Sequence, residues 1–259
     1  MNELLVQRTG AVLALTLNRP ERLNAVTTDL VLGMVAAIED ASRDSTIRVV
    51  TLTGAGRAFC VGADIGPDTV GTAEVPPDAA IIDAVNRLAL TIQAVPQLVI
   101  ALVNGPAVGV GSSFALGADL AFASDNSYLM TGFSAIGLIP DGGGTAYLVA
   151  SLGRSRALAS AVLGDRIDAK QALEAGLFAR VWPHAQFTEE SDKLVRQLAA
   201  GPSRAYAAAK QAINGVALPN LAAVLETERR LQRELLATAD FAEGVAAFVS
   251  KRPAKFQGR

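Results

Sequence analysis

The chain has 259 residues, of which 51% are hydrophobic, 19% charged and 5% aromatic, with a formal net charge of −2. A chain of this length closes a large core, here mostly Ala, Val, Leu and Ile, without staples, and its charge excludes a generally nucleic-acid-binding surface. The single cysteine, Cys60, excludes an intramolecular disulfide and any multi-cysteine metal site, and the single histidine, His184, excludes a histidine-rich metal centre and argues against a Ser-His-Asp triad.

The first residues, "MNELLVQRTG", lack the basic start and long apolar run of a secretory leader. No apolar run reaches the length of about 18 residues needed to span a bilayer. The expectation is a cytoplasmic protein with no membrane partner. "LLVQRTG" and "AVLALTLN" read as two strands joined by a Thr-Gly turn. "TTDLVLGMVAAIEDASRD" carries a capping Thr or Asp and apolar residues at helical spacing. "IRVVTLTG" is a buried strand, and the Gly, Pro and Asp of residues 66–78 predict a loop. A second helix, "AAIIDAVNRLALTIQAV", stops at Pro96, and "LVIALVNG" is another buried strand. A short helix "VGSSFALGA" and the strands "DLAFAS" and "SYLM" follow.

Beyond residue 145 the pattern is almost wholly helical, apart from "FARVW". Gly201-Pro202 marks a boundary, so the reading is a core over 1–200 and a helical region over 201–259. Within that region "LAAVLETERRLQRELLAT" is amphipathic. A stripe of Leu221, Val224, Leu225 and Leu231 would stay exposed on a lone appendage, which predicts an oligomer contact.

Two glycine-rich segments follow buried strands: "VTLTGAGRAFCVGAD" and "IALVNGPAVGVGSS". Neither continues into Gly-Lys-Ser/Thr, and neither opens a helix with GxGxxG. Glycine after a strand lets a backbone N–H approach a ligand closely. Two such loops, each supplying one N–H, make an oxyanion hole.

These loops belong to a larger ordered set: "NRPERLNAV" (18–26), "GRAFCVGADI" (56–65), "VNGPAVGVG" (103–111) and "IGLIPDGGGT" (136–145), with "FVSKRPAKF" near the C-terminus. In this order and at this spacing they resemble the crotonase superfamily, the enoyl-CoA hydratases and isomerases, over nearly the whole chain. The resemblance implies an α/β fold, a spiral of repeated ββα units with a helical C-terminal trimerisation region. It also implies a homotrimer or a dimer of trimers. The implied substrate is an acyl-CoA thioester, with no cofactor beyond the coenzyme A that the substrate carries. The oxyanion donors implied are the amides of Ala63 and Val110, the latter at a place where the family commonly has Gly. The implied coenzyme A contacts are Arg22, Ala25, Ala63, Asp64 and Ile65, with Lys251, Lys255 and Phe256 over the adenosine end.

The family's hydratases resemble one another in two glutamates, and those positions are Ser113 and Phe133 here. Neither side chain is a general base, which sets this chain apart from ordinary hydration. Ser113, Phe133 and Ile136 are expected to line the acyl pocket. An acid in the place of Asp141 resembles the family's Δ3,Δ2-enoyl-CoA isomerases, which need one base to carry a proton from C2 to C4. The residues themselves leave a second role open: Asp141 as the N-cap of the helix "GGTAYLVASLG". Asp68 and Glu74 are further acids in the loop, and His184 lies far from the motifs. The reading is an enoyl-CoA isomerase with Asp141 as base. The alternatives are a hydratase using other acids, or a crotonase-like protein that binds CoA thioesters without efficient turnover.

Overall fold

The computed structural model describes residues 2–65 and 79–259, so the expected loop at 66–78, with Asp68 and Glu74, lies outside the described residues. The chain opens with β1 (Leu4–Thr9) and β2 (Val12–Leu17), an antiparallel hairpin. The helix α1 (Thr28–Arg43) is capped by the Thr27 hydroxyl, which accepts from the Leu30 amide. Then come β3 (Val49–Gly54), α2 (Ala79–Ala94), β4 (Leu98–Val103), the short β5 (Ala107–Val108) and α3 (Val110–Gly117). Next are β6 (Leu120–Ser124), β7 (Tyr128–Met130), α4 (Gly144–Leu163), β8 (Ile167–Asp168) and α5 (Ala169–Glu174). The chain continues through β9 (Arg180–Trp182), α6 (His184–Ala200), α7 (Ser203–Ala217), α8 (Leu221–Leu236) and α9 (Ala239–Val249). Helix α4 breaks at Gly153, the last residue of the predicted "GGTAYLVASLG". The two-residue β5 and β8 have no counterpart in the sequence reading, because they are too short to show a period.

One sheet runs β1-β2-β3-β4-β6-β9, parallel from β2 onward, and a small sheet joins β5, β7 and β8. The parallel strands are covered on both faces, which is why β3 and β4 read as near-continuous apolar runs. Val50, Leu52, Val99, Ala101 and Val103 join Leu30, Met34 and Leu88 in the main core. The intervening Val49, Ile100, Leu102 and Phe122 meet Phe187, Val195 and Ala199 of α6 on the other face.

The C-terminal helices fold back on this body. Lys210 of α7 is buried, 2.8 Å from the Asp119 carboxylate, and donates to the carbonyls of Ile92 and Gln97. Leu221 and Leu225 of α8 are buried with Ala89 and Tyr147, and Val224 and Leu231 are half-buried. This corrects the expectation of an exposed stripe: that face of α8 covers its own protomer, so it gives no argument for an oligomer. No helix among the described residues is long and apolar enough to cross a membrane.

Candidate active site

Strands β2, β3 and β4 are parallel, so the segments that follow them leave the sheet at the same edge. The motifs 18–26, 56–65 and 103–111 are those segments. In a parallel sheet, ligands bind at this carboxyl edge.

Side chains of the first motif lock the loops together. Asn24 is fully buried at a φ of 59°. It accepts from the Arg19 amide and donates to the carbonyls of Ala55 and Ala58. Asn104 holds the same loop from the other side, accepting from the Gly54 amide and donating to the Gly56 and Ala58 carbonyls. Arg19 bridges Asp64 at 2.8 Å and Glu3 at 3.0 Å, and donates to the Ala25 carbonyl. Parallel bridges pair Val26 with Ala63 and Cys60 with Ala107. The predicted residues Arg22, Ala25, Ala63, Asp64 and Ile65 therefore share one region. The Asp64 carboxylate is engaged with Arg19, so its side chain clamps the loop. Arg22 is exposed, at the end of a 3-10 turn.

The glycines here permit close approach of backbones. A Cβ on Gly111 would sit 2.2 Å from the Cys60 carbonyl oxygen, and one on Gly105 2.2 Å from that of Arg57. A Cβ on Gly62 would lie 3.8 Å from the Val110 nitrogen, so the residue before Ala63 adjoins the start of α3. Val110 is the first residue of α3 and has no positive φ, so its side chain leaves the amide geometry unstrained. Among the described residues, neither the Ala63 nor the Val110 amide donates to a protein acceptor.

The loop that carries Asp141 packs against the first turns of α3. A Cβ on the next residue, Gly142, would lie 3.6 Å from the Ser113 Cβ and 3.7 Å from the Val110 Cγ2. Ser113 donates to the Asp141 carbonyl at 2.7 Å, so it fixes the main chain that carries the acid. The Asp141 side chain is 7% exposed; its Oδ2 accepts from Gln232 at 3.0 Å, and its Oδ1 is buried with no partner among the described residues. Burial pushes this carboxyl up to about 7; the Gln232 hydrogen bond pulls it down, and the charge of Glu228 pushes it further up.

Asp141 is not the cap of α4. The N-cap is Gly143, with no side-chain cap of its own. The cap comes instead from Glu228 of α8, whose Oε2 accepts from the Gly143 amide at 2.8 Å and whose Oε1 accepts from the Thr145 amide at 2.9 Å and the Thr145 hydroxyl at 2.5 Å. A carboxylate at a helix N-terminus is also favoured by the helix dipole. Burial pushes Glu228 up, and its Thr145 and Gly143 donors pull it back.

Glu228 and Gln232 were not singled out from the sequence. Their signal is there, because they continue the register of Leu221 and Leu225 and put two polar residues in the buried stripe of an amphipathic helix. Phe133 is buried and lines a small interior cavity with Ser113, Leu116 and Leu148. Ile136 packs elsewhere, with Phe241 and Val245 of α9 and with Ile65. The tail carrying Lys251, Lys255 and Phe256 is tied to α9: Lys255 donates its amide to Glu243, and Gln257 and Gly258 donate theirs to Asp240. Cys60 is fully buried, which pushes its thiol up to about 12. His184 opens α6 beside Ser124, away from these loops.

Among the described residues the site thus brings together two amides without a protein acceptor, those of Ala63 and Val110, and the buried carboxyl of Asp141 on a neighbouring segment. A model of the enoyl-CoA hydratase/isomerase family matches residues 7–259. The chain belongs to this family, within the crotonase superfamily, and is an enzyme of it. It is 38% identical over 250 residues to a 1,2-epoxyphenylacetyl-CoA isomerase of Escherichia coli, covering 96% of this chain and 95% of the relative. It is 38% identical over 259 residues to a 2,3-dehydroadipyl-CoA hydratase of the same organism, covering 100% of both. Its structure matches that of an enoyl-CoA hydratase from Mycobacterium avium subsp. paratuberculosis with a TM-score of 0.92 and 40% identity, over 99% of each chain.

Proposed function

We propose that the protein is an acyl-CoA enzyme that shifts an enoyl double bond from Δ3 to Δ2, with Asp141 as the only base. The observation that carries this reading is the state of Asp141: buried, held near neutrality at about 7, and with one free oxygen. A general base works best when its pKa lies near the working pH.

The thioester carbonyl oxygen sits between the amides of Ala63 and Val110. Asp141 takes the proton from C2, and the charge passes to that oxygen as a dienolate. Each amide contributes on the order of 3 kcal/mol to holding it. The protonated Asp141 then returns the proton to C4, leaving the 2-enoyl thioester and a carboxylate ready for the next turn. Coenzyme A is part of the substrate, and the reaction draws on no further cofactor.

Hydration asks for a second acid. Ser113 is tied to the Asp141 carbonyl, Phe133 is apolar, and both oxygens of Glu228 are engaged at the start of α4. Relatives named isomerase and hydratase are equally similar to the chain, so the reading rests on its acids and not on them. Solvent-deuterium NMR on 3-enoyl- and 2-enoyl-CoA separates the outcomes. Isomerisation with deuterium exchange but without hydration supports the proposal. Rapid formation of 3-hydroxyacyl-CoA makes the protein a hydratase, and thioester binding without either product makes it a binding protein.

The proposal includes a homotrimer or a dimer of trimers. Its support is no longer the α8 stripe but apolar side chains left exposed elsewhere: Leu158, Val162 and Leu163 on α4, and Ile213 and Val216 on α7. A stable monomer in light scattering rejects it.

A further inference from the structure

We propose that Gln232 is the positioning residue for Asp141: it holds Oδ2 and so leaves Oδ1 as the one oxygen that exchanges a proton with the substrate. The inference rests on Asp141 being the base.

Gln232 lies on α8 and is 2% exposed. Its side-chain amide pairs with the main chain of Ile139 at two points. Oε1 accepts from the Ile139 amide at 3.2 Å, and Nε2 donates to the Ile139 carbonyl at 3.0 Å. This pairing fixes which way round the amide stands, since a flipped amide would set donor against donor. The second hydrogen of Nε2 then has one acceptor, Asp141 Oδ2, at 3.0 Å. Every hydrogen of the Gln232 amide is used, and it cannot turn to serve Oδ1.

The main chain of Asp141 is fixed independently. Its carbonyl accepts from the Ser113 hydroxyl at 2.7 Å and from the Gly144 amide at 3.0 Å. With backbone and Oδ2 both held, the carboxyl plane has one orientation, and Oδ1 is its only oxygen without a partner. A double-bond shift moves a proton between two carbons separated by a single carbon. One fixed oxygen serves both ends, and no rotation of the carboxyl is needed between removal and return. The main chain is thus set from α3 and the reacting group from α8.

The groups around Asp141 decide how its titration responds. Glu228 on α8 is the charged neighbour that raises it. Tyr147 of α4 lies over Gly143 and is itself pushed up by burial. Helix α3 brings Ser113, which does not titrate here. Helix α2 carries Asp83 and Arg87, which pair outward with Arg229 and Arg233, and with Glu39. Loop 66–78 is outside the described residues. Gln232 is the donor that favours the anion, so removing it moves Asp141 upward.

The test is isomerisation of 3-hexenoyl-CoA by Gln232→Met and Gln232→Glu, with full pH profiles of kcat and KM. Both variants should lose about ten- to a hundredfold in kcat near neutral pH, the scale of a misplaced reacting group, with KM little changed. The acid limb of the kcat profile should move to higher pH in both. Gln232→Glu keeps the length and the acceptor toward Ile139, and it carries the test if Gln232→Met fails to fold. A folded variant with wild-type kcat and an unmoved acid limb overturns the proposal, as does a rise in KM alone. Asp141→Asn is run alongside. If it keeps full activity, the base assignment itself falls; if it is inactive while the Gln232 variants behave as wild type, only the role of Gln232 falls.

Discussion

Replacing Asp141 by Asn separates catalysis from stability, and the structure gives opposite signs for the two. Asn keeps the size of the side chain and an oxygen that accepts from Gln232, but it takes no proton. Isomerisation should fall by about two to four orders of magnitude, the usual worth of a general base. Stability should move the other way. The ordinary value for this carboxyl is 3.8, and in the fold burial raises it to about 7. The native state therefore holds the proton more tightly than the unfolded chain does. The stability tied to that proton is full below the unfolded pKa and is lost as pH climbs through about 7. At about 1.36 kcal/mol per pH unit, ionising Asp141 inside the fold removes at most about 4 kcal/mol, and about 2 to 3 kcal/mol of this appears between about pH 5 and pH 8. Asn at position 141 has no such dependence. Urea unfolding of both proteins at those two pH values should show the mutant gaining on the wild type by that amount as pH rises. The constant effects of the amide cancel in the difference. A mutant with turnover within tenfold of wild type refutes the catalytic role, and a stability difference that does not grow with pH refutes the raised pKa.

Other outcomes follow from the same contacts. Glu228→Gln turns an amide donor toward the amides at the start of α4, so it should cost about 1 to 3 kcal/mol in urea unfolding. It also removes the negative neighbour of Asp141, so the acid limb of kcat should move to lower pH, opposite to the Gln232 variants; an unmoved limb means that Glu228 exerts no field there. Gly111→Ala drives a Cβ to within 2.2 Å of the Cys60 carbonyl oxygen and must part the two donor loops. It should lower kcat by about 10²–10³, the loss of one oxyanion donor, and unaltered α-proton exchange would mean that the loops do not form the donor pair. Arg22→Ala should weaken coenzyme A inhibition without abolishing α-proton exchange, and an unchanged inhibition constant would remove Arg22 from the coenzyme A site.

The legible parts of this molecule are those where chemistry and chain order coincide. Strands β2, β3 and β4 are apolar runs, and the motifs behind them carry glycines where two backbones meet, as Gly105 and Gly111 show. Even there, the roles of Asn24, Asn104 and Arg19 were hidden, because each holds a main-chain group or a carboxylate dozens of residues away. Asp141 could be found as an acid among glycines, but not told apart from a helix cap. Both roles need the same residue before the same helix, and the difference lies in Glu228, which takes the α4 amides from 85 residues away.

Reading the α8 stripe as exposed failed for a related reason. An apolar stripe states that a face is covered, not by what. Here it is covered by α2 and α4 of the same chain, and its two polar members, Glu228 and Gln232, arrive at Asp141 because Leu221 and Leu225 seat the helix there. The consequence is functional. In the proposed mechanism the loops after the parallel strands supply the amides, and Ser113 of α3 holds the main chain of the acid. The side chain of that acid is set by a helix that the chain forms only after residue 220. A chain ending near residue 200 would keep every motif of the resemblance up to Asp141 and lose the groups that orient Asp141 and cap the helix behind it.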